Sequence, residues 1–259
     1  MTTLLAGLLG LLAAWALTVP LHRFKEFRPL GRRDLTDEAG LDIRAVRRHA
    51  RYARSTHDVK GTDVVPVLSW LLPGRVGATR APASVLAIQV GIPLSVALTA
   101  LRFDSVALVV AYGWFCVMAV AVAVTDARIL LIPWWMPWVG AAGAAVLLPL
   151  ATAVGDLPAE RVLWAAGSAA GAFGFFFVLF VAAPGKLGFS DVRLMVPIGA
   201  FVGFISPLLV LWALMIGSVL GIVGGIASRA ATGERHFAFG PALCGGALVA
   251  IWLSEQLVG

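Results

Sequence analysis

From residue 83 onward the chain is a succession of apolar runs separated by short turns, and several runs reach the roughly 20 residues that cross a bilayer core. In lipid an unpaired backbone amide costs several kcal/mol, so runs of that length can only be helices or a closed barrel. The reading is an all-α polytopic membrane protein, a bundle of about eight transmembrane helices. Spans are expected near 2–21, 84–101, 105–125, 129–153, 162–183, 191–205, 207–228 and 238–256. Composition agrees: the chain is 60% hydrophobic and 13% charged, against about 25% charged in soluble domains. Three regions follow, a first span at 1–21, a basic loop at 22–83, and a transmembrane core at 84–259.

Charge orients the bundle. Residues 22–80 carry thirteen Lys/Arg against seven Asp/Glu, which places this loop on the cytoplasmic side. Alternating from there, eighteen of the twenty basic residues fall inside, and only Arg102 and Arg161 fall outside. The first run lacks a basic leader and has its positive charge after it, as expected for a retained span with its N-terminus outside. The expected location is therefore the cytoplasmic membrane, multi-pass, with lipids as surroundings. The net charge of +6 records this topology rather than a nucleic-acid partner. Within the loop, "LDIRAVRRHARYAR" (41–54) reads as an amphipathic helix on the anionic leaflet or in solvent. The stretch "VVPVLSWLLPGR" (64–75) is too short to span and too apolar to stay in water.

Against this background two acids stand out. Asp104, Asp156, Glu160, Glu234 and Glu255 all lie in turns or near the end of the chain, where water reaches them, and seven more acids lie in the basic loop. Asp126 in "AVTDARILLIPWW" and Asp191 in "GFSDVRLM" sit at the ends of apolar runs, on the same expected side. Either could be an interfacial residue beside a cation, Arg128 or Arg193. Brought together, two such carboxyls would share a proton, and such a pair can split a peptide bond. One activates water while the other polarises the carbonyl. A proton-coupled transporter also uses intramembrane acids, though near the midplane and in related half-repeats, which this chain lacks. Cys116 and Cys244 read as packing residues, and the four histidines show no metal-ligand spacing.

The surroundings of the two acids carry a resemblance. "GFSDVRL" resembles the G-x-G-D-x-K-L signature of the type IV prepilin peptidases, GxGD intramembrane aspartic proteases. Gly188, Asp191 and Leu194 match, while Ser190 stands for the second glycine and Arg193 for the lysine. "DARILLIP" is similar to the family's first aspartate motif, with Asp126, Ile132 and Pro133 matching and Trp134 departing from it. "HFAFGPALCGGAL" resembles its Phe-Gly-Pro segment through Phe239, Gly240 and Pro241. "PVLSW" resembles the N-terminal part of members that are also N-methyltransferases, but the zinc-binding cysteine pairs flanking it there are absent. "PAL" at Pro241–Leu243 is shared with presenilin-type and signal-peptide-peptidase-type GxGD proteases, whose Tyr-Asp is here Thr125-Asp126.

The resemblance implies an endopeptidase that removes the short basic leader of a prepilin or pseudopilin, with Asp126 and Asp191 catalytic. Proteolysis would need no cofactor, and zinc is not expected. S-adenosylmethionine would enter only if N-methylation of the new N-terminus is retained. A glycine before the aspartate permits backbone geometry that Ser190 is expected to adopt at some cost.

Overall fold

Eight helices lie along the eight apolar runs in the computed structural model, which describes residues 2–22, 83–184, 187–232 and 238–258. They are α1 (Thr2–His22), α2 (Ala83–Arg102), α3 (Val106–Ile129), α4 (Trp135–Val154), α5 (Glu160–Ala182), α6 (Phe189–Ile205), α7 (Pro207–Thr232) and α8 (Gly240–Trp252). A short α9 (Ser254–Val258) follows, and the described residues form no strand. Four stretches are long and apolar enough to cross a membrane: Val106–Arg128, Trp135–Val154, Glu160–Ala182 and Pro207–Ala230. The expected features at 41–54 and 64–75 lie outside the described residues.

The short helices hold the centre. On α6, the 11 residues from Val192 to Phe204 other than Arg193 and Val196 are all buried. On α8, nine of 13 residues are buried, among them Leu243, Cys244, Ala247 and Ile251. Seventeen and 13 residues give helices of about 26 and 20 Å. The longer α3 shares that centre while α4, α5 and α7 lie outside it, with α6 packed on α4, α5 and α7, and α8 packed on α3 and α7. Pro197 lies inside α6 without ending it. Neighbouring helices that re-satisfy the freed carbonyl make this tolerable in membrane bundles.

Hydrophobicity does not drive packing between helices in lipid, so close approach has to come from small side chains. The α5–α6 contact shows this. A Cβ on Gly199 would lie 2.6 Å from the Ser168 carbonyl oxygen and 2.8 Å from Ala169 Cα, and one on Gly203 would overlap the Ser168 side chain. These are mostly backbone atoms with nowhere to go. Gly199→Val is therefore expected to part α5 from α6 and destabilise the protein by about 1–3 kcal/mol. A thermal or denaturant unfolding curve of the purified protein checks it; an unchanged midpoint would mean the helices are not held this closely.

Short connections make consecutive helices antiparallel, and cross-bundle bonds fix which termini share an end. At one end Arg102 pairs with Glu255 at 3.0 Å and its Nε donates to Ser254 Oγ at 3.0 Å. Nearby, Trp252 Nε1 donates to Thr99 Oγ1 at 3.3 Å, and Tyr112 Oη donates to the Phe201 carbonyl at 2.8 Å. Glu255 was expected to be solvated; it is 70% exposed and still holds the arginine. The opposite end gathers the termini of α1, α3 and α5 with the starts of α6 and α8, and both aspartates are there.

Candidate active site

Asp126 stands in the last turn of α3 and is only 6% exposed. The sequence placed the end of this run at residue 125, but α3 continues to Ile129 and the next helix starts at Trp135 rather than near 129. Two local features set this boundary. Leu130 takes a left-handed backbone (φ 52°), and its N–H donates to the Asp126 carbonyl at 2.8 Å. Pro133, three residues on, has no N–H to extend a helix. A left-handed leucine costs about 1–2 kcal/mol, and such strain concentrates where geometry serves a site. Beyond it Ile132 is buried, whereas Trp134, Trp135 and Trp138 are exposed, as in an interfacial aromatic belt.

The carboxyl of Asp126 is gripped from another helix. Gly240 N–H, at the start of α8, donates to Asp126 Oδ2 at 2.8 Å. The first amides of a helix lack intrahelical acceptors, and the helix dipole favours a negative group there. Phe239 precedes this start and offers no side-chain cap, so Asp126 does the capping from α3. The Phe-Gly-Pro segment now has a physical account. Pro241, in the first turn of α8, has no N–H to leave unsatisfied. Gly240 must be glycine for closeness: a Cβ there would lie 2.7 Å from Asp126 Oδ2.

Asp191 lies in the first turn of α6, again near a helix N-terminus. Gly188 caps that helix in extended conformation, and its carbonyl accepts from Asp191 N–H at 3.0 Å. The Asp191 carboxyl leans back over the cap: a Cβ on Gly188 would lie 3.2 Å from Oδ2 and 3.1 Å from Ser190 Oγ. Ser190 itself is an ordinary helical residue in the first turn of α6, and the left-handed non-glycine residues described are Leu130 and Asp156. The expected conformational cost of serine is therefore absent, because the chain needs no glycine backbone there.

The two acids converge. α3 touches α6, α8 packs against both, and Asp191 is near enough to Asp126 to feel its charge. Asp126 is buried while Asp191 is half-buried beside an exposed Gly188, so the pair opens outward on the Asp191 side. The adjacent arginines have other contacts. Arg128 Nη1 donates to the Leu21 carbonyl at 2.9 Å, tying α1 to α3. Arg193 lies over the Phe189 ring at 4.7 Å.

One residue at this end was read from the sequence as a packing residue only. Cys244, one helical turn after Gly240, is buried and lies within range of the charges of both aspartates. Its spacing of four from Gly240 was the only available signal, and that pattern is common in apolar helices. Thr125 is buried, with no hydrogen-bond partner for its hydroxyl among the described residues. Among the described residues no group of three or more His, Cys, Asp or Glu comes together to hold a metal ion.

Comparisons with protein families, with curated proteins and with solved structures find no match for the chain.

Proposed function

We propose that the protein is an intramembrane aspartic endopeptidase of the prepilin-peptidase type, which removes the short basic leader from a type IV prepilin or pseudopilin. The observation that carries this reading is that Asp126 and Asp191 stand at one end of the bundle on two helices that touch, with a backbone N–H of a third helix fixing one of them. Eight helices crossing the bilayer, with the 22–83 loop on the cytoplasmic side, would put that end at the inner surface. A basic leader stays in the cytoplasm, so the bond to be cut lies at the same depth.

The chemistry follows from the asymmetry of the pair. Asp126, kept ionised by the Gly240 N–H and the start of α8, takes a proton from water on its other oxygen, and the resulting hydroxide attacks the scissile carbonyl. Asp191, whose proton the neighbouring Asp126 charge helps to retain, donates to the carbonyl oxygen as it gains charge. Collapse of the tetrahedral intermediate breaks the C–N bond. Asp126 passes its proton to the leaving amine, and Asp191 recovers its own as the new carboxyl forms. The net change is one peptide bond and one water consumed, with no cofactor. Holding Asp126 in place before reaction removes a reorganisation cost from the barrier.

N-methylation of the new N-terminus would fall to the 22–83 region and to S-adenosylmethionine. The mass of the mature pilin decides whether it occurs.

The test is expression of the protein beside a precursor with a basic leader, a glycine at the junction and an apolar stem, in bacteria lacking their own prepilin peptidase. The expected outcome is a shorter product beginning after the glycine. A precursor that stays full-length while both proteins are in the membrane refutes the reading.

A further inference from the structure

Along α7, the residues Ser218, Gly221, Ile222, Gly225, Ile226 and Arg229 recur at three- and four-residue spacings, which places them on one stripe of the helix. With Phe239 they line a cavity of about 670 Å³. Its walls are apolar, its floor carries two glycines, and Ile222 and Ile226 are 63% and 66% exposed, so it opens to the bilayer. Arg229 is the one charged residue of the lining among the described residues, in the last turn of α7, one residue before the end of the span-length stretch Pro207–Ala230.

A slot of this kind complements an amphiphile with an anionic head and an apolar tail. Its length selects further. Ser218 to Arg229 rises about 16 Å at 1.5 Å per residue, close to the half-thickness, about 15 Å, of a bilayer core. A chain from one leaflet fills that depth, whereas a helix crossing the whole membrane would run past it. We propose that the slot seats an anionic phospholipid, its phosphate on Arg229 and one acyl chain along Ile226 and Ile222 toward Ser218. The seat reaches the neighbour of the residue that grips Asp126. Phe239 forms part of the wall, its ring atoms lie 2.6 Å from where a Cβ of Gly221 would be, and the next residue, Gly240, holds Asp126. This inference stands independently of any peptidase activity.

The experiment is native mass spectrometry of the full-length protein released from nanodiscs of equal phosphatidylglycerol and phosphatidylcholine. The wild type is expected to retain phosphatidylglycerol over phosphatidylcholine by about fivefold, the effect of one basic side chain facing an anionic lipid. Arg229→Gln should lose the preference, and Gly225→Leu, which fills the floor, should lose retention of both lipids. Arg229 is exposed and Gly225 half-buried, and neither lies on the buried α6 or α8. Equal retention of the two lipids by the wild type, or an unchanged preference in Arg229→Gln, overturns the proposal. So does a photo-crosslinker at Ile226 that captures an added apolar helical peptide in preference to lipid. Because no cleavage is measured, a failure here is distinguishable from a failure of the peptidase reading.

Discussion

Asparagine in place of Asp191 is expected to slow leader removal by roughly 10²–10⁴-fold, the usual contribution of a positioned general acid or base. Asparagine has nearly the same shape, so α6 should still start at Gly188 and the protein should still insert. It has no acidic proton for the substrate carbonyl, so the pair loses its acid. Asp126→Asn is expected to lose as much for a complementary reason. Its amide oxygen can still accept from Gly240 N–H, which keeps α8 capped, but it cannot take a proton from water. Both variants are measured by the rate at which a precursor shortens, with membrane level and unfolding temperature as controls. Cleavage at the wild-type rate by either would remove that residue from the chemistry.

The second large effect is predicted at a residue without a functional group. Gly240→Ala would put a methyl 2.7 Å from Asp126 Oδ2 and 3.2 Å from its Cβ and Cγ. The carboxyl must swing away, and the 2.8 Å bond from the Gly240 N–H is then lost. A hydrogen bond to a charged group contributes about 1.5–3 kcal/mol, so some stability goes with it. Activity should suffer more, because a displacement of about 1 Å at a reacting group costs on the order of 10²-fold. A variant that unfolds only slightly earlier than wild type while cleaving about 10²-fold more slowly would show that the glycine serves the position of Asp126. Full activity would mean that the grip on Asp126 is incidental.

Much of this was legible before the coordinates. Apolar runs located all eight main helices, because in lipid the backbone has no other way to satisfy itself. Asp126 and Asp191 stood out because the remaining acids had water within reach. What the runs could not reveal was which helices lie at the centre. α3 and α8 are apolar all round, so no face announces itself, and lipid is as apolar as a neighbouring helix. The central place of α6 came from Gly199 and Gly203, residues a hydropathy reading treats as interruptions. Boundaries suffered for a similar reason: the left-handed turn at Leu130 leaves no mark in a leucine. At the site, the grip of Gly240 on Asp126 joins residues far apart in the chain. The Phe-Gly-Pro resemblance flagged the segment without giving its physical role. Ser190 erred the other way, with a cost expected from its place in a glycine motif and removed by its helical backbone.

The central claim is spatial, and one measurement addresses it without relying on any substrate. In a protein whose Cys116 and Cys244 are replaced by alanine, cysteines are introduced at Asp126 and Asp191 together. The membranes are then treated with dibromobimane, which becomes fluorescent when it bridges two neighbouring thiols. The account predicts fluorescence from this pair and none when the cysteine at 126 is combined with one at Arg161, which begins α5 at the opposite end of the bundle. A pair at 126 and 191 that stays dark while each cysteine alone reacts with a maleimide would contradict the convergence on which the proposed chemistry rests.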